Sequence, residues 1–398
     1  MPIGTTTWIQ DSWGNKMKLR THKAPPFVLG TGAIEQLGQY ASQLNAKRAL
    51  IVTDHGVAEA GWLAPVVDAL TQSHLETVLF SDVTPNPKDQ EVMAGAERYQ
   101  SRECDLVVAV GGGSPMDCAK GIVAVVANGG DIRRFDGVDR VPVMPPPLIC
   151  IPTTAGTAAE ISRFAIITDT SNNIKFAIIS DAMIPWLALV APETTTTMPS
   201  ELTATTGIDA LVHAIEAYVS TNHSPLTDLY ALEAIRLIVG SIRQALAQPR
   251  NMQHREAMMQ GSLLAGLAFS NAGLGLVHAM AHSLGGLLDL AHGECNALLL
   301  EHVVHYNFDC ARERYVQIGL TMGLPMKGLS AAEQKVRLIA ALAALRRDVN
   351  LAHPLRDLGV ESDDIPALAR NALLDPCIPT NPKTPTQEDI AHIYEAAL

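Results

Sequence analysis

The feature that most constrains this chain is a change of texture part-way along its 398 residues. From about Pro25 to Val190, short β-branched runs alternate with stretches long enough to cross over as helices; after about Pro192 those runs disappear. RALIVTD (48–54), TVLFSDV (77–83), DLVVAVG (105–111) and PLICIPT (147–153) read as strands. Segments 56–70, 89–104 and 115–126 supply crossover helices, and such alternation predicts a parallel, Rossmann-like sheet with helices on its faces. RFAIITD (163–169) and KFAIISD (175–181) flank a Ser-Asn-Asn turn and read as a hairpin inserted on that sheet. Further on, Ala, Leu, His and Glu recur at helical spacing through to Leu398. Pro192 and Pro199 bracket a Thr run that suits a linker, so the expected organisation is an α/β domain over 1–194 followed by an all-α domain over 195–398.

Charge narrows the partners. Lys and Arg number 29 against 41 Asp and Glu, a net charge of −12 with no basic run, so the phosphate attraction of nucleic-acid binders is missing and no nucleic acid is expected. Six cysteines (Cys104, Cys118, Cys150, Cys295, Cys310, Cys377) lie far apart without a CxxC pair, which fits a reducing compartment better than a disulfide framework. The N-terminus has no apolar run followed by a small-residue cleavage site, so a cytoplasmic protein is expected. Its first twenty residues, with Trp8 and Trp13, lie outside the pattern and suggest no role. Segment 257–288 carries no charge and is long enough to span a bilayer. It also holds Gln260, Asn271, His278, His282 and six glycines, which predicts a buried helical region turning polar groups toward a site, with no membrane partner.

Strand 105–111 runs into Gly111-Gly112-Gly113-Ser114-Pro115-Met116-Asp117. Glycines let a phosphate approach the backbone, and the helix N-terminus behind them offers free N–H groups and a favourable dipole. Ser114 as N-cap, Pro115 at the first helical position and Asp117 three residues after the cap make a helix-start signature. The turn is not the G-x-G-x-x-G fingerprint, and alone it also suits a connection that binds nothing. Asp54, closing its strand, can accept from an adenosine ribose and would repel a 2′-phosphate, favouring NAD over NADP; the alternative is a helix cap. IPTTAGTAAE (151–160) places hydroxyls and a glycine at another strand end, suited to a nicotinamide or a phosphate.

Asp209 and His213 stand four apart on a predicted helix and so share a face. His278 and His282 repeat the spacing and His292 follows, giving one carboxylate and four imidazoles, of which three or four can converge. That donor set without a thiolate suits Fe(II), Zn(II), Co(II) or Mn(II) without choosing among them. Any one of these histidines also suits packing or capping, but several in an uncharged stretch would leave polar groups to satisfy.

GGGSPMDCAK (111–120), IPTTAGTAAEISRFAIIT (151–168), GIDALVHAIEAY (207–218), HSPLTDLYAL (223–232), GLVHAMAHSLGG (275–286), HGECNALLL (292–300) and the final NPKTPTQEDIAHIYEAAL together resemble the iron-dependent (group III) alcohol dehydrogenases. The resemblance implies a dehydroquinate-synthase-like fold: an NAD-binding α/β domain and a helical metal domain. It implies Fe(II), with Zn(II) as the alternative, held by Asp209, His213, His278 and His292, and His282 as the catalytic proton relay. It assigns Gly112, Gly113 and Ser114, with Asp117, to the pyrophosphate side, Asp54 to the adenosine ribose, Thr153, Thr154 and Thr157 to the nicotinamide side, and Lys175 to the ribose side. Where relatives often read T-A-G-T-G-S-E, this chain has Ala158 and Ala159. The implied reaction is hydride transfer between NAD and a small primary alcohol or diol and its aldehyde, in a homo-oligomer (dimer or higher). A zinc polyol dehydrogenase of the glycerol dehydrogenase kind is the runner-up; a related lyase lacks its asparagine- and lysine-rich site here. A scaffolding role, as in filament-forming aldehyde–alcohol dehydrogenases, is argued against by the four competent ligand positions.

Overall fold

The computed structural model describes residues 21–172 and 174–398, with the backbone of two antiparallel strands, Trp8–Gln10 and Lys16–Lys18; Trp13 lies outside the described residues. Six parallel strands form the main sheet in the order Phe27–Leu29, Leu187–Val190, Leu148–Pro152, Leu106–Gly111, Arg48–Val52, Glu76–Phe80. The last four are the strands read from the sequence. The first two escaped it because three and four residues are too few to show a period. Leu106–Gly111 and Leu148–Pro152 are buried at every residue, as strands covered by helices on both faces must be.

From Arg48–Val52 the chain steps outward to Glu76–Phe80, then returns to the opposite side for Leu106–Gly111 and continues away from it. The direction reverses between Arg48–Val52 and Leu106–Gly111, and the crevice beyond the carboxyl ends of strands at such a reversal is where open α/β sheets bind ligands. Asp54 and the Gly111–Gly113 turn follow those two strands.

The expected hairpin forms, Phe164–Asp169 against Ile174–Ile179, but not as an addition to the main sheet. It pairs instead with Gly137–Val138 in a separate three-stranded sheet. The helix after the glycine turn runs Gly113–Asn128 and begins earlier than the Ser114 cap predicted: its N-cap is Gly112, and no side chain caps it. Pro115 still sits in the first turn, where its missing N–H removes no intrahelical bond.

After Val190 a short 3-10 segment, Pro192–Thr197, leads into the helical half. Helix Ser200–Val219 is buried on all sides from Gly207 onward, the signature of a central helix. Pro225–Ala247 and Met252–Ala272 pack on it, and Leu276–Leu288 and His292–Asn307 join them around one apolar core. Among the described residues no single helix is long and apolar enough to cross a membrane. The uncharged stretch is broken at Gly273 into Met252–Ala272 and Leu276–Leu288, which meet at 99°.

Candidate metal centre and cofactor cleft

Three helices bring four side chains together. Asp209 and His213 come from one turn of Ser200–Val219, His278 from the first turn of Leu276–Leu288, and His292 from the first residue of His292–Asn307. Asp209 Oδ1 stands 3.8, 3.6 and 3.7 Å from Nε2 of His213, His278 and His292. Donors about 2.1 Å from a common ion lie roughly 3.4–3.7 Å apart at angles near 110–120°, so these residues fit one divalent cation.

The surroundings hold this geometry. Glu216, one turn beyond His213, accepts from His278 Nδ1 at 2.6 Å and from the backbone N–H groups of Gly275 and Val277 at 3.0 and 2.7 Å. A single carboxylate therefore caps the helix and fixes the ring orientation that aims His278 Nε2 inward. His213 is sandwiched between His278 and Phe269, with ring centroids 4.5 and 4.4 Å away. Burial lowers the His213 pKa to about 4 despite Asp209, and burial likewise holds His292 well below the usual histidine range. Both rings are thus neutral near pH 7, as metal ligands must be. Burial also works against charge on His278, but Asp209 and Glu216 on either side raise its pKa to about 9.

The same cleft, a cavity of about 140 Å³, is lined by His213, His278, His282 and His292 together with Gly113, Ser114, Asp117, Thr157 and Lys175. Of the residues singled out in the sequence, these nine come together in it. Asp209 is buried behind the imidazoles, while Gly112 lies against Thr154 beside the cleft, a methyl there falling 3.2 Å from that side chain. Gly113 is closer still to Thr157, where a methyl would lie 2.9 Å from Cγ2. Thr153 is buried, its N–H donating to Gly111 O, and does not line the cleft. Asp54 N-caps helix His55–Glu59, accepting from Val57 N at 2.8 Å through Oδ1.

Asp117 accepts from Ile166 N at 3.1 Å, and burial raises its pKa to about 6 against the pull of Lys120. Lys175 donates to Asn86 Oδ1 at 2.8 Å, and Asn86 Nδ2 donates to Asp289 Oδ1 at 2.6 Å. This chain of contacts ties the hairpin to the end of helix Leu276–Leu288, across the cleft. His282 lines the cleft with Nδ1 2.9 Å from Asp375 Oδ2, which sets its tautomer. In the Thr loop, Ala158 adopts φ +50°, the left-handed region that alanine avoids, and packs against Gly266.

Sequence reasoning missed Glu216, Asn86, Asn296 and Asp375. Glu216 was findable, three residues after His213 and seven after Asp209 on one helix face. Asp375 lies 93 residues from His282 and has no local signal.

Family profiles agree with this architecture: "Iron-containing alcohol dehydrogenase" matches residues 24–192, and "Fe-containing alcohol dehydrogenase family, C-terminal" matches 203–398. The chain is 42% identical to 1,3-propanediol dehydrogenase of Klebsiella pneumoniae over 371 residues, covering 93% of this chain and 96% of that one. It is 38% identical to NAD-dependent methanol dehydrogenase of Bacillus methanolicus over 374 residues, 94% and 98% of the two chains. A crystal structure of 1,3-propanediol oxidoreductase superposes with a TM-score of 0.93 at 40% identity, covering 96% of this chain and 100% of that one. With its sheet, its helical half and its Asp-His-His-His cluster in the order the sequence motifs implied, this chain belongs to the iron-containing alcohol dehydrogenase family.

Proposed function

We propose that the chain catalyses reversible, NAD-dependent interconversion of small primary alcohols or diols and their aldehydes, with Fe(II) at the four-residue centre. One observation carries this reading: the cation-binding cluster and the glycine turn with Ser114 face a single cleft, so a nucleotide and a metal-held substrate can meet there. When bound, the cation supplies Lewis acidity to the alcohol oxygen and NAD accepts the hydride.

The protein's own residues do the rest. Asp209, His213, His278 and His292 hold the cation, and Glu216 fixes His278. The uncapped N–H groups at Gly113 and Ser114 receive the pyrophosphate. Asp54 keeps one carboxylate oxygen beyond its cap bond for the adenosine ribose, and Lys175 with Thr154 and Thr157 serves the nicotinamide ribose. His282, with Nδ1–H held on Asp375, carries the alcohol's proton toward solvent.

Phe164, Phe269 and Leu274 line the substrate side beside Cys377, and among the described residues Lys175 is the one lysine or arginine on the wall, which suits small neutral substrates. The names of the methanol and propanediol relatives support the same size class. The profile match to iron-containing enzymes argues for Fe(II) over the zinc polyol alternative. Six cysteines without a disulfide support a reducing, cytoplasmic setting. Edge strand Phe27–Leu29, paired on one side and exposing both end residues, supports a homo-oligomer.

The test is NADH oxidation over a panel of short aldehydes by protein purified without oxygen, before and after chelation and refilling with Fe(II) or Zn(II). Turnover lost on chelation and restored chiefly by Fe(II) is the expected result. Tight metal with no turnover on any short aldehyde would overturn the reading.

A further inference from the structure

Lys120 is fully buried on the helix that opens at the glycine turn, Gly113–Asn128. Its Nζ donates to Ser162 O at 2.9 Å, to Ser162 Oγ at 3.2 Å and to Phe164 O at 2.7 Å. An ammonium has three hydrogens, so all are spent on one short stretch, whose Ser162 and Phe164 line the cleft. One turn earlier, Asp117 accepts from Ile166 N at 3.1 Å, so two residues three apart on one helix face grip the start of strand Phe164–Asp169.

Burying an ammonium is costly, and desolvation lowers the Lys120 pKa even with Asp117 and Glu160 nearby. An apolar side chain of the same length would fill the space without that cost, but would not fix where the two carbonyls and the hydroxyl stand. The stretch so fixed leads to the metal centre. The Phe164 ring meets Phe269 with centroids 5.8 Å apart, and Phe269 stacks on His213 at 4.4 Å.

We infer that Lys120 is a positioning residue for substrate selection: by holding the backbone at Ser162 and Phe164 it places the Phe164 ring, and so sets the room left for an aldehyde chain beside the cation. The same helix receives the cofactor at its start, so one element places both reactants. The inference rests on the reaction proposed above.

Lys120→Met keeps the length of the side chain and removes its donors. Each variant is assayed for NADH-driven reduction of straight-chain aldehydes from ethanal to hexanal, with metal content and Tm measured on the same protein. In Lys120→Met the ratio of kcat/KM between the best and worst aldehyde should fall about tenfold or more, chiefly through KM, with KM for NADH and metal content near wild type. Phe164→Leu should flatten the profile in the same way, and the double variant should flatten it no further. Lys120→Gln, which keeps N–H donors at a shorter reach, should fall between wild type and Lys120→Met, and carries the test if Lys120→Met does not fold.

A lysine that served stability alone would lower Tm on removal and scale every aldehyde alike. That result in Lys120→Met, or in Lys120→Gln where only that variant folds, would overturn the inference. So would fully additive effects in the double variant. A wild-type protein inactive on every aldehyde would sink the proposed function, whereas an active wild type whose profile survives loss of the lysine would sink only this inference.

Discussion

On the α/β side of the cleft, the groups that face a ligand belong largely to the backbone: a glycine turn and an uncapped helix start whose N–H groups point outward. On the helical side they are side chains, each held by another side chain: His278 by Glu216, His213 by Phe269, His282 by Asp375. The two constructions are vulnerable in opposite ways. A backbone site is indifferent to the chemistry of nearby side chains but fails when one grows, because the ligand needs the space. A side-chain site tolerates changes of volume at its margin but fails when a supporting group loses its charge or its hydrogen bond.

Glu216→Gln tests the second vulnerability most severely. It keeps the volume while weakening three hydrogen bonds at once, and should lower metal affinity by about 10–100-fold, read by chelator competition, with KM for NAD nearly unchanged. If metal affinity stayed intact, the supporting layer would be incidental. Gly113→Ala probes the other side. A methyl 2.9 Å from Thr157 Cγ2 should impose roughly 1–3 kcal/mol of crowding, raising KM for NAD by roughly 5–100-fold while metal content stays at wild-type level. Loss of metal in that variant would show that the two sites are not separable.

Asp117 sits where the constructions meet, a partly buried carboxyl raised from near 3.8 to about 6 by burial. A raised carboxyl favours folding fully below its unfolded pKa, and that contribution is lost as pH climbs through about 6, since above it the native state must hold a buried charge. The full shift is worth roughly 3 kcal/mol, and solvent on its open side reduces this to about 1–2. Asp117→Asn should therefore raise Tm at pH 8 and leave it nearly unchanged at pH 4, by calorimetry at both values. Equal Tm changes at the two values would mean the carboxyl carries no burial penalty. The smallest effect is expected at Ala158→Gly. Relief of a left-handed alanine, about 1–2 kcal/mol, is mostly offset by the freer unfolded chain and the lost methyl contacts, leaving a net gain under about 1 kcal/mol.

What the sequence revealed follows the same division. The candidate donors were legible because Asp209 with His213 and His278 with His282 stand i, i+4 on helices and so share a face, whereas the choice of Asp209, His213, His278 and His292 among them came from the family resemblance. Glu216 was passed over because a glutamate within a helix ordinarily marks a solvent-facing side, although its spacing puts it on the face of Asp209 and His213, where it packs against Leu276–Leu288. The glycine turn was found, but its helix was placed two residues late because Ser114 and Pro115 satisfy the usual start pattern, while glycine can open a helix with no cap at all. Asp54 fulfilled the alternative given for it, as a cap, and one carboxylate can do that and still offer its second oxygen to a ribose. The two short sheet strands carried too few residues to declare themselves, and Asp375 reaches His282 only through the tertiary fold.

The contact between Ala158 and Gly266 bears on how such a chain can be reached by single replacements. A methyl on residue 266 would fall 2.4 Å from the methyl of Ala158, so alanine at 158 is admissible only in a chain that already has glycine at 266. Ile161 adds to the restriction, its Cδ1 falling 2.7 Å from the same methyl, whereas 158 stays free to become glycine. The constraint on this pair therefore runs one way: what stands at 158 can change while 266 stays glycine, but 266 cannot change first.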